Sequence, residues 1–196
     1  MLKTFSAFLF TIMGWKMQGQ IPAEIKKCIV VAAPHTSNYD LLLALAGFYK
    51  MKIPVRYLVK REWVNFFPLS RIFKASGALG VDRSKSNSLV DNLAAMITAS
   101  SENMAVMISP EGTRKLVHKW KTGLYYAALK ANVPIVLSSL DYAKKVAAIG
   151  PIFMPTGNYQ EDMQILKNYY KDITPKYPEL FSLEIYPLEE KIACTG

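Results

Sequence analysis

The sequence predicts an α/β fold in a single domain, a mixed and largely parallel central sheet flanked by helices. Three observations lead there. Apolar, β-branched runs of strand length recur at residues 29–33, 53–59, 104–108 and 133–140. Stretches of helix-forming composition separate them, and alternation of strand and helix builds a parallel sheet covered on both faces. The residues with chemistry to offer fall just after the strand runs, where folds of this class form their sites.

Composition narrows the function classes. A chain of 196 residues, 51% hydrophobic and 20% charged, can bury a core of its own and is not a disordered segment. The formal charge is +9, and all of the excess lies early. Residues 1–90 hold 13 Lys and Arg against 4 Asp and Glu, whereas residues 91–196 hold 11 of each. Such asymmetry calls for an anionic partner: nucleic acid, phospholipid headgroups or a phosphorylated substrate. A solvated lysine-rich face is the plain alternative. No nucleic-acid module is visible. Cys28 and Cys194 are far apart and carry no metal spacing, so neither a disulfide framework nor a zinc site is expected, and a reducing compartment fits.

In chain order, residues 1–20 read as an N-terminal membrane-interface helix and residues 21–196 as the domain. The first apolar run is well short of the roughly 20 residues a spanning helix needs. Phe5, Phe8, Leu9, Ile12 and Trp15 are expected to face apolar surroundings, with Lys3 and Lys16 at the headgroups. The alternative is that this segment packs on the chain's own core.

The strand at 29–33 is stopped by Pro34, which cannot donate to a ladder. His35 follows, and then Thr36, Ser37 and Asn38, all capping residues for a helix at about 39–50. Asp40 stands in its first turn, within reach of the imidazole. A carboxylate on one ring nitrogen fixes the tautomer and frees the other nitrogen as a base.

After the strand at 53–59, residues 61–76 read as helical but broken by Pro68, with aromatic and basic residues interleaved. Here they pack in the core, line an acyl-chain channel or touch lipid. A short strand between Gly77 and Arg83 ends on that arginine, and a polar turn caps a helix to about residue 101. The strand at 104–108 runs straight into Ser109-Pro110-Glu111-Gly112-Thr113-Arg114. A basic loop at 115–121 holds His118, which has no carboxylate neighbour in sequence and reads as a surface or substrate-side residue. Helix 122–131, strands at 133–140 and 144–149, and a polar helix at about 158–173 complete the chain. Arg83 and Arg114 beside a histidine–aspartate pair point to an anionic group held next to a general base. Gly112 lets backbone amides approach a phosphate and Thr113 adds a hydroxyl.

In order and spacing these residues resemble the glycerolipid acyltransferase family, which includes the bacterial 1-acylglycerol-3-phosphate acyltransferases. His35-Thr-Ser-Asn-Tyr-Asp40 matches its His-x4-Asp block. Gly77 to Arg83 matches its second block, and Pro110 to Arg114 its Pro-Glu-Gly-Thr-Arg block at all five positions. Trp120-Lys121-Thr122-Gly123 is similar to its Phe-Lys-x-Gly element. Val133-Pro134-Ile135-Val136 matches its last block in part, with Leu137 in place of a second proline. Gly80, where the family has a bulky apolar residue, and Lys119, in place of a proline, are further departures, bearing on acceptor and acyl preference.

The resemblance implies a glycerol-3-phosphate acyltransferase-like domain over residues 21–196. It implies transfer of an acyl chain from acyl-CoA or acyl-carrier protein to a lysophospholipid hydroxyl, foremost that of 1-acylglycerol 3-phosphate, giving phosphatidic acid. His35 is then the base and Asp40 its orienting carboxylate. Arg83 and Arg114 hold the phosphate, with Gly112 and Thr113 assisting. Glu111 binds an acceptor hydroxyl or braces an arginine, and Lys121 reaches the phosphate or the CoA. No Gly-x-Ser-x-Gly elbow is present and no cysteine stands beside the histidine, so no acyl-enzyme is expected. No metal or cofactor is expected either, and the chain should sit on the cytoplasmic side of a membrane as a peripheral or monotopic protein. The alternatives are another acceptor, such as glycerol 3-phosphate or a lyso-aminolipid, a hydrolase using the same base on water, or a lipid-binding protein without catalysis.

Overall fold

Ile29, Val30 and Val31 are wholly shielded from solvent, at the centre of strand β2 (Lys27–Ala32). A strand buried on both faces must be apolar at consecutive positions, which is why this run does not alternate. The computed structural model describes residues 8, 10–68, 70–81 and 86–184. Arg83 and Cys194 lie outside them.

The remaining strands are β1 (Lys16–Gln18), β3 (Val55–Lys60), β4 (Ala78–Val81), β5 (Met104–Ile108), β6 (Ile135–Asp141) and β7 (Val146–Phe153). They form one sheet in the order β1-β7-β6-β2-β5-β3-β4. Every neighbouring pair is parallel except β6 and β7, which run antiparallel. The mixed, largely parallel sheet expected from sequence is therefore the one observed.

Helices α1 (Asn38–Lys50), α2 (Arg61–Asn65), α3 (Ser70–Ala75), α4 (Ser86–Ala99), α5 (Gly123–Ala131) and α6 (Tyr159–Tyr170) flank the sheet. The pleat of β2 sorts them. Ile29 and Val31 join Leu93 and Ile97 of α4, Tyr125 of α5 and Leu166 of α6 on one face. Cys28 and Val30 join Leu45 and Phe48 of α1, with Val64 of α2, on the other. Tyr170, fully buried, donates its hydroxyl toward the carbonyls of Val31 and Ser138, 3.1 Å from each. This ties the ends of β2 and β6 together just before the chain leaves β2 for His35.

The amino-terminal boundary needs correction. Lys16–Gln18 is the edge strand of the sheet, with Lys16 opposite Val146, so the domain begins before residue 20. Phe10 and Trp15 are buried beside Leu43, Ala46 and Leu140, because β1 can pair with β7 only if the preceding turn lies on the core. Phe8, Ile12 and Met13 stay exposed. Phe5, Leu9 and Lys3 lie outside the described residues. Among the described residues no helix is long and apolar enough to cross a membrane.

Pro68 breaks the 61–76 segment into α2 and α3, as its position predicts. Gly80 of β4 also finds an explanation. A Cβ there would meet the Arg61 Cα at 3.2 Å and Val64 Cγ2 at 3.3 Å, so α2 lies directly on the strand where a bulky residue would otherwise stand.

Candidate active site

The carboxyl end of β2 delivers His35 into the turn that opens α1. Ser37 is the N-cap of α1, its Oγ accepting from the Tyr39 N–H at 3.2 Å. Asp40, at the third helical position, reaches back in a reciprocal capping box. Its Oδ2 accepts from the backbone N–H groups of Thr36 (2.9 Å) and Ser37 (2.8 Å) and lies 3.1 Å from His35 Nδ1. Its Oδ1 accepts from the Tyr142 hydroxyl at 2.6 Å. These donors and the positive end of α1 offset the desolvation of a carboxylate that is only 5% exposed. An oxygen already surrounded by donors assigns the proton to His35 Nδ1. In the neutral imidazole this leaves the lone pair on Nε2.

The loop after β5 closes the other side. Glu111 accepts from the His35 backbone N–H, 2.8 Å to Oε2 and 3.2 Å to Oε1, and Ser109 Oγ lies 3.2 Å from Oε2. Glu111 is 6% exposed. Burial pushes its carboxyl up to about 7, while His35 and the bonds from His35 N–H and Ser109 pull it down. Glu111 is not among the residues lining the cavity described below, and its bonds fix the backbone of the histidine loop.

Gly112 adopts a left-handed φ of +67°, and a Cβ there would lie 2.9 Å from Lys121 Nζ. The glycine is needed twice, for its backbone and for the ammonium that lies across it. Lys121 is held by its own N–H, which donates to the Pro110 carbonyl at 2.8 Å. Arg114 Nη1 donates to Asn38 Oδ1, reaching over to the start of α1. Thr113 Oγ1 accepts from the Lys115 N–H.

His35, Asp40, Gly112, Thr113, Arg114 and Lys121 all line one cavity of about 1320 Å³. Its other walls include Phe48, Met51, Leu89, Leu93, Leu124 and Ile149. Its lining is thus largely apolar, with Arg114, Lys121, Lys119 and Lys60 as its cations, and its volume is above the ordinary range for small-molecule sites. His118 does not line it. Its Nδ1 lies 3.2 Å from Glu184 Oε2, with both side chains exposed, so it does have a carboxylate neighbour, supplied from far along the chain.

Tyr142 escaped the sequence reading, although it stands just past a strand end as His35 does. Burial and Asp40 together hold its phenol well above the ordinary range. Trp15 packs edge-on against it, centroids 5.1 Å apart. Tyr142→Phe removes the donor to a buried carboxylate oxygen. It is expected to cost about 1–3 kcal/mol in urea denaturation; an unchanged midpoint would reduce the tyrosine to a space filler.

Comparison with known proteins places these features. The family model described as Acyltransferase matches residues 15–138. A 1-acyl-sn-glycerol-3-phosphate acyltransferase of Haemophilus influenzae is 25% identical over 207 residues, covering 94% of this chain and 80% of that protein. A probable 1-acyl-sn-glycerol-3-phosphate acyltransferase of Mycoplasma pneumoniae is 31% identical over 137 residues, 67% of this chain and 51% of that one. The chain therefore matches only about half the length of the second relative. The crystal structure of the 1-acyl-sn-glycerophosphate acyltransferase of Thermotoga maritima shares the fold, with a TM-score of 0.51 at 17% identity over 87% of this chain and 74% of that one. The family match opens at the buried Trp15 and closes at Ser138 of β6, taking in the His35 turn and the Glu111 loop: the chain belongs to the acyltransferase family.

Proposed function

We propose that this chain transfers a fatty acyl group from a thioester, acyl-CoA or acyl-carrier protein, to the free hydroxyl of a lysophospholipid, foremost 1-acylglycerol 3-phosphate. The observation that carries the reading is His35, with Asp40 on Nδ1, on the wall of a largely apolar cavity that Arg114 and Lys121 also line. His35 Nε2 takes the proton of the acceptor hydroxyl as its oxygen attacks the thioester carbon. The carbonyl electrons move onto oxygen, then return and expel the thiolate, which recovers the proton from the imidazolium. The ester and the thiol leave, and no bond to the protein forms. Asp40 orients the ring and stabilises its charged form. Arg114, Lys121 and the Gly112 backbone face the phosphate, and Arg83 is assigned to it from the sequence block alone. Acyl chains occupy the apolar walls, and the lipid acceptor implies work at the surface of a bilayer on its cytoplasmic side.

The test is a panel of lyso-acceptors and glycerol 3-phosphate with one acyl-CoA, products identified by mass. Phosphatidic acid from 1-acylglycerol 3-phosphate is expected to dominate; a diacyl product from another acceptor alone would redirect the assignment, and free fatty acid alone would make the chain a hydrolase. In the same assay Arg114→Ala is expected to raise the acceptor KM on the order of ten- to a hundredfold, the worth of a charge-assisted hydrogen bond. A change confined to the donor KM would remove the arginine from the phosphate.

A further inference from the structure

We infer that the α2–α3 elbow is a membrane-docking surface for an anionic bilayer. Its tip presents Phe66 at 57% exposure and Phe67 at 75%, and Ile72 on α3 is 56% exposed. These are not stray core residues, because the elbow has its own inward face: Val64 and Phe73 pack against the core. Two short helices thus bury one apolar set and hold a second one out in water. Such a patch marks a contact surface when charges rim it.

The rim identifies the partner. Lys60 and Arg61 at the start of α2 and Arg71 and Lys74 on α3 are all exposed, against Glu62 as the exposed acid of the elbow. Aromatic side chains at the level of the headgroups, with Arg and Lys at the phosphates, is the chemistry of an interfacial anchor. The position agrees. Val59, Lys60 and Val81 line the cavity, and α2 begins at the next residue, Arg61. A bilayer touching the elbow lies beside the cavity holding His35, so a long-chain acceptor passes between them without crossing water. The inference rests on the proposed function only for the lipid nature of the substrate.

Full-length protein is tested by flotation with vesicles of equal phosphatidylglycerol and phosphatidylcholine, and with pure phosphatidylcholine. Phe66→Ser/Phe67→Ser should weaken partitioning to the anionic vesicles on the order of tenfold or more. Arg71→Gln/Lys74→Gln should weaken it by about 25-fold, at roughly fivefold per basic residue, with little change on the neutral vesicles. All four side chains are exposed, and circular dichroism checks that both variants fold. An environment-sensitive fluorophore on Phe67→Cys, in a Cys194→Ser background, should shift to the blue on anionic vesicles and be quenched by brominated lipid. Unchanged partitioning of both variants, or a probe that stays in water, overturns the proposal. A dimer dispersed by Phe66→Ser/Phe67→Ser without vesicles would overturn it too, giving the patch to a second copy. With a monodisperse short-chain acceptor, Phe66→Ser/Phe67→Ser should transfer acyl groups as fast as the unaltered chain. If neither transfers, the functional reading falls, and the vesicle result still decides the docking surface.

Discussion

His35→Ala is expected to lower acyl-transfer turnover by about 10²–10⁴, the range for losing a positioned general base, with the fold intact. The imidazole is a quarter exposed, at 26%, and among the described residues its side chain makes one hydrogen bond, to Asp40. The structural part of the turn is carried by its backbone N–H on Glu111, which alanine keeps. The measurement is turnover at saturating donor and acceptor, beside thermal denaturation. A rate within about threefold of the unaltered chain would remove His35 from the chemistry. Lost activity together with lost folding would leave the residue structural.

Asp40→Asn should produce an effect of similar size by another route. The carboxylate accepts on both oxygens, and an amide can present only one. Its NH₂ would have to face either the Tyr142 hydroxyl or the Thr36 and Ser37 N–H groups. It would also allow the wrong imidazole tautomer. Turnover is expected to fall on the order of 10²–10⁴, and stability by about 1–3 kcal/mol. A capping residue alone is worth about 1 kcal/mol and nothing in rate. Near-normal turnover in a destabilised Asp40→Asn chain would therefore make Asp40 a helix cap and no more.

The parts of this site legible in the sequence are those set by neighbours in the chain. Pro34 ends a strand and Ser37 starts a helix, so His35 and Asp40 had to meet. The Glu111 loop could be placed at a strand end in the same way. Its side chain could not, because its partner is a backbone N–H 76 positions away, and backbone groups leave no mark in a sequence. Tyr142 was hidden for a related reason: its partner lies 102 positions away, and no motif announces it. The amino-terminal segment allowed two readings because one apolar pattern serves two surroundings. Phe10 and Trp15 meet protein while Phe8 and Ile12 meet solvent, and only the pairing of β1 with β7 decides between them.

That pairing also orders events in time. Lys16 leaves the ribosome 130 residues before its partner Val146, a delay on the order of ten seconds at ordinary synthesis rates. No nascent chain shorter than β7 can close this sheet, however well its middle strands have formed. Until then Trp15 cannot reach Tyr142, and Tyr142 itself arrives only after β6. The support behind Asp40 is therefore assembled late, from residues that precede β1 and β7, although His35 and Asp40 are among the first residues made.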